Sequence, residues 1–115
     1  MSFEFASPTS HYSSHLESLF ETYPNSKASI EEEINTKTPD FTLTNKIRFL
    51  NTGIRKLKIP LTEYEISTRR GLRLIYIIAK NKIWLITIYS KSEFNRGREI
   101  NRLIKAGWDA IDFDH

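Results

Sequence analysis

The chain reads as an α+β domain: a small four-stranded, mostly antiparallel sheet, an N-terminal helical hairpin packed on it and a C-terminal helix, in the order β-α-α-β-β-β-α. Three observations predict this. Apolar residues recur at helical spacing between Tyr12 and Ile34, and again from Phe94 to Ile104. From Gly53 onward the period drops to two, the signature of strands. Two runs rich in β-branched and aromatic residues, Leu72–Ala79 and Lys82–Tyr89, are separated only by Lys80-Asn81, which predicts a tight hairpin. With 115 residues, 39% of them hydrophobic, residues 1–115 form one domain with a single modest core.

Each element has a local reason. Phe3 and Phe5 alternate with polar neighbours, so Ser2–Ala6 reads as a short first strand. Ser7-Pro8 offers a cap with proline at the first helical position, and Tyr12, Leu16, Leu19, Phe20 and Tyr23 supply the stripe of a helix ending near Thr22. Pro24-Asn25 breaks it. Ser29-Ile-Glu-Glu32 has capping-box spacing and opens a second helix, its acids sitting where the dipole favours them. Thr38-Pro39-Asp40 ends that helix, and Phe41–Asn51 carries no clear period. In Gly53–Ile59, Leu57 and Ile59 point one way while Lys56 and Lys58 point the other. The two hairpin strands are apolar on both faces and so should be central, with helices over at least one face. Ser92–Lys105 returns to helical period, Gly107 reads as a cap, and the acidic tail presents Trp108 and Phe113 as exposed aromatics.

Charge divides the chain. Between Lys46 and Lys105 there are fifteen Lys/Arg against four carboxylates, whereas the first 45 residues hold two lysines against seven acids. The whole-chain value of +3 conceals this. Cations at the ends of apolar strands suit a phosphate backbone laid across a sheet, which makes nucleic acid the expected partner. Cysteine is absent, so disulfides and thiolate metal sites are excluded. Met1–Ala6 lacks the basic and apolar regions of a signal peptide, and the apolar runs are about half of the ~20 residues that a membrane helix needs. The expectation is a cytoplasmic protein with no membrane association, no metal and no cofactor.

The runs Gly53-Ile-Arg-Lys-Leu-Lys-Ile-Pro60, Arg70-Gly-Leu-Arg-Leu-Ile-Tyr76 and Ile86-Thr-Ile-Tyr-Ser-Lys-Ser-Glu93 together resemble the RelE/HigB toxins of bacterial type II toxin–antitoxin modules. The resemblance spans roughly Phe49 to Phe94. It implies a small sheet with helices on one face, an endonuclease that cuts mRNA on the translating ribosome, and a cognate antitoxin. Under it, Lys56 and Lys58 match the paired strand lysines, Arg73 the arginine opening the next strand, and Lys91 the basic residue after the last strand, with Glu93 two positions on as in the HigB-like branch. Ser92 stands where the RelE branch often has arginine, and no tyrosine follows Tyr89.

The residues also allow a chemistry of their own. RNA is cleaved without metal when its 2′-hydroxyl attacks the adjacent phosphate; the protein must accept that proton, meet the phosphorane charge and protonate the leaving 5′-oxygen. Histidine would be the usual choice, but His11, His15 and His115 all lie outside the basic half. Lysine becomes a usable base when neighbouring cations lower its pKa. The catalytic candidates are therefore Lys58 as base or charge stabiliser, Lys56 and Arg73 on the scissile phosphate, and Lys91 or Glu93 as acid. Arg55, Arg69, Arg70 and Tyr89 are candidate RNA contacts. Taken singly, each feature has a plainer reading: Lys-x-Lys as a solvated strand face, Arg69-Arg70 as a soluble loop, and Tyr76, Trp84 and Tyr89 as sheet core. His11 and His15 have the i, i+4 spacing of a metal pair but no third ligand, so they read as solvent-facing helix residues. Two further functions fit the same pattern: a ParE-like toxin that inhibits a topoisomerase by protein contact, and a non-catalytic RNA- or DNA-binding module.

Overall fold

The computed structural model describes residues 3–114. Met1, Ser2 and His115, and with them the expected start of the first strand and the last histidine, lie outside the described residues. Among the described residues the fold is α+β, with three α-helices and a mixed five-stranded sheet. In chain order the elements are β1 (Glu4–Phe5), α1 (Ser10–Thr22), α2 (Lys27–Lys37), β2 (Asn45–Lys46), β3 (Ile54–Ile59), β4 (Leu72–Ala79), β5 (Lys82–Ser90) and α3 (Gly97–Asp109). The strands lie β1-β5-β4-β3-β2, antiparallel except for β1, which pairs parallel to β5. The fifth strand corrects the expectation of four. Asn45–Lys46 pairs with Lys56 and Arg55, and a two-residue edge strand is too short to show a period in the sequence.

The β4–β5 hairpin forms as expected. Lys80 and Asn81 both have positive φ (54° and 61°), the pair of left-handed residues that a type I′ turn requires. A register shift between Ile75 and Tyr76 makes a bulge in the ladder. Both sheet faces are covered. On one, Tyr12 and Leu19 of α1 and Ile30 and Ile34 of α2 pack on Leu57, Ile59, Leu72, Leu74 and Ile88. On the other, Leu103 and Ile104 of α3 pack on Ile54, Ile75, Ile77 and Ile86, with Trp84 beside them.

Several local expectations change. Thr9, not Ser7, caps α1: its hydroxyl oxygen accepts from the Tyr12 amide at 3.0 Å. Pro24–Ser26 is a 3₁₀ turn that runs into α2 at Lys27, so Ser29 is already helical and is not a cap. Its hydroxyl donates to the Ser26 carbonyl and to Glu63 instead. Glu31–Glu33 consequently lie beyond the first turn. α3 begins at Gly97 rather than Ser92, because the Glu93 and Phe94 amides close a turn on the Ser90 carbonyl. Gly107 is inside α3, where a Cβ would stand 2.2 Å from the Ile86 carbonyl oxygen; glycine is what lets the helix touch the sheet. Trp108 and Phe113 are not free aromatics: Phe113 stacks obliquely on both Trp84 and Trp108. Among the described residues no helix is long and apolar enough to cross a membrane.

Candidate nucleic-acid interface

The strand period puts Lys56 and Lys58 on the same side of β3, away from α1 and α2. The register then extends that side across the sheet: Lys58 stands opposite Arg73, and Arg73 opposite Tyr89. Lys91 follows β5, and its amide donates to the Gly71 carbonyl at 3.0 Å, which ties it to the start of β4. The electrostatics agree with this convergence. Burial lowers the pKa of Lys56, and Lys58, Arg73 and Lys91 lower it further by repulsion. Lys58 is exposed, Lys56 and Lys91 are half-buried, and none of the three is within ion-pair distance of a carboxylate among the described residues.

Arg73 behaves differently from the lysines. It is 5% exposed, and its guanidinium donates to the carbonyls of Thr68 (2.7 Å), Leu72 (3.1 Å) and Arg69 (2.9 Å). It therefore clamps the turn Ser67–Arg70, closed by the Arg70 amide on the Ser67 carbonyl. Gly71 makes that path possible: a Cβ there would sit 2.0 Å from the Ile59 carbonyl oxygen. Arg69 and Arg70 are exposed on the clamped turn. Burial disfavours the charge on Arg73, and Tyr89 partly offsets this. Burial also raises the Tyr89 pKa, against the opposing pull of Arg73, so the phenol keeps its proton near neutrality. The Tyr89 ring is 5% exposed and meets Phe94 edge-on. It is a floor for the cluster and has no open face on which a base could stack.

Two candidates do not join the cluster. Arg55 lies on the opposite side of β3 and is 6% exposed. Its Nε donates to the Thr44 hydroxyl and an Nη to the Thr44 and Phe41 carbonyls, while its guanidinium lies 4.1 Å from the centre of the Phe41 ring. With the Tyr76 hydroxyl donating to the Thr38 carbonyl, this fastens the segment after α2 to the sheet. Glu93 is exposed beyond the β5 turn and lines a cleft with His15 and Ser18 of α1. His11 is not solvent-facing: its Nε2 is 3.0 Å from the Thr87 hydroxyl, and burial and His15 lower its pKa. Among the described residues no three His, Cys, Asp or Glu side chains are grouped to hold a metal.

Sequence reasoning missed Thr68 and Gly71, the residues that shape the arginine turn. The glycine inside Arg69-Arg-Gly-Leu-Arg73 was the available signal. What remains is a patch of cations over a buried Arg73–Tyr89 pair. Set against families of known proteins, curated proteins and solved structures, the chain matches none.

Proposed function

We propose that this chain is the toxin of a type II toxin–antitoxin pair, a cytoplasmic endoribonuclease that cuts mRNA on the ribosome by 2′-hydroxyl attack. The observation that carries the reading is the placing of Lys56 and Lys58 on one side of β3, with Lys58 opposite the clamped Arg73 and Lys91 tied to Gly71, none of the three lysines ion-paired among the described residues. Cations gathered without carboxylates repel one another, and a polyanion relieves that repulsion.

The roles follow from the environment of each group. Lys56, half-buried on the strand face beside Lys58 and with its pKa lowered by burial and three neighbouring cations, accepts the 2′-hydroxyl proton. Lys58 is exposed on the same side of β3 and meets the phosphorane oxygens. Lys91 protonates the leaving 5′-oxygen. Arg73, buried and bonded through three of its N–H groups to the carbonyls of Thr68, Arg69 and Leu72, acts as a positioning residue for Arg69 and Arg70, which track the RNA backbone.

Expression of the chain alone in bacteria tests this. Growth should stop with loss of mRNA, and Lys56→Met should lower cleavage of RNA by the purified protein about 100-fold or more while RNA binding falls only slightly. Altered DNA supercoiling with intact mRNA would favour the topoisomerase-inhibiting alternative. Binding without cleavage would leave an RNA-binding module.

A further inference from the structure

Phe41, in the loop between α2 and β2, leaves 53% of its surface in water, yet its ring is held in place. The buried Arg55 guanidinium lies over one face at 4.1 Å from the ring centre, and an Arg55 Nη donates to the Phe41 carbonyl at 3.1 Å. Arg55 is itself fixed by the Thr44 hydroxyl and carbonyl. The backbone around the ring is closed as well. The Asp40 amide donates to the Lys37 carbonyl, and the Leu43 amide to the Asp40 carbonyl. The Asp40 carboxylate accepts from the Thr42 amide and hydroxyl at 2.9 and 2.6 Å. The ring therefore rests one face on a fixed cation and turns the other toward water.

The surroundings narrow what could cover that open face. Lys46 stands opposite Arg55 in the β2–β3 pair, so it shares the side of the sheet on which the ring lies. Ile47 turns the other way, into the core under α3, and the alternation returns Arg48 to the side of Lys46. Lys46 and Arg48 are both exposed, and neither makes an ion pair among the described residues. An aromatic plane beside unpaired cations fits a planar group joined to phosphates: the base stacks while the cations meet the backbone. Arg55 already draws on the π electrons of the ring, which favours an electron-rich base over a second cation on the open face. In a duplex the bases are stacked on one another, so the fit is to a single strand.

We propose that Phe41 is a stacking platform for an unpaired base of single-stranded RNA, with Lys46 and Arg48 on the adjoining phosphates and Arg55 as the positioning residue beneath the ring. The site lies on the side of β3 opposite Lys56 and Lys58. It rests on the reading of this chain as an RNA binder and on no reaction at the lysine cluster.

The test uses 2′-O-methyl RNA, which has no free 2′-hydroxyl and so reports binding without cleavage. A fluorescent 2′-O-methyl oligoadenylate of about eight nucleotides and an abasic strand of the same length are titrated with the full chain by anisotropy. The oligoadenylate should bind about tenfold more tightly than the abasic strand. Phe41→Leu keeps the apolar bulk without a π face; it should abolish this preference and leave abasic binding unchanged. Phe41→Trp should retain the preference. Lys46→Ala should weaken both strands and reduce the salt slope by about one. Thermal melts establish that the variants fold, and the comparison of the two strands on the wild type and Phe41→Trp stands without the leucine variant. The proposal is overturned if the wild type binds both strands alike, if Phe41→Leu binds the oligoadenylate as the wild type does, or if it weakens both strands equally. Failure of the wild type to bind either strand would reject the RNA reading along with this site, whereas a base preference indifferent to Phe41 would reject this site alone.

Discussion

Replacing Arg73 by lysine separates its charge from its geometry. The substitution keeps the formal charge, so a residue acting only as a cation would be silent there. The guanidinium reaches three carbonyls from two nitrogens, at 2.7, 3.1 and 2.9 Å. A lysine ammonium on a single stem can keep roughly one of them. Hydrogen bonds to charged groups contribute about 1.5–3 kcal/mol each. The carbonyls of Thr68 and Arg69 regain water once the exposed turn loosens, so the lower end applies and two lost bonds cost about 3 kcal/mol. With a urea slope of about 1.5 kcal/mol/M, the unfolding midpoint should fall by about 2 M. The loss is also local: the Arg70 amide, bonded to the Ser67 carbonyl at 3.1 Å, should exchange its hydrogen much faster in Arg73→Lys. A midpoint within about 0.3 M of the wild type, with unchanged Arg70 exchange, would refute the clamp.

Gly71→Ala should unfold the domain or cost several kcal/mol, because its Cβ would lie 2.0 Å from a backbone oxygen. Gly97→Ala, with nothing within 4 Å, should be neutral or stabilise by roughly 0.5–1 kcal/mol; similar melting temperatures for the two variants would contradict the packing at Gly71. For Lys56, the folded pKa lies below its ordinary 10.5, so in the window between the two the unfolded chain binds more protons and stability from this group rises with pH. Its penalty is fully present below the folded pKa, so Lys56→Met should be more stable than wild type at pH 7, with the difference shrinking toward the ordinary lysine pKa. Urea unfolding at both ends of that window measures it, and a less stable Lys56→Met at pH 7 would reject the crowding of Lys56.

The elements readable in advance were those whose cause is local. α1 has its stripe from Tyr12 to Tyr23 and stops at Pro24, and the β4–β5 hairpin follows from two apolar runs and a two-residue gap. The alternation in β3 likewise put Lys56 and Lys58 on one side, because successive side chains in a strand must point to opposite faces. α2 was misread at its start because Ser29 matched a cap by spacing, while the preceding 3₁₀ turn began the helix earlier.

What the sequence could not decide is which partner each polar group finds. Arg55 and Arg73 look alike in the chain, each one residue from a lysine or leucine in a strand. Folding buries both, Arg55 among Thr44 and Phe41 and Arg73 against its own turn. A guanidinium in an apolar setting must find acceptors, and those come from loops whose paths are set by distant packing such as Gly71 against Ile59. The pairing of Phe5 with Ile83 and the bond from the Lys91 amide to the Gly71 carbonyl have the same origin. Periodicity assigns a residue to a face of its own element. Only the closed sheet and its covering helices determine what lies over that face.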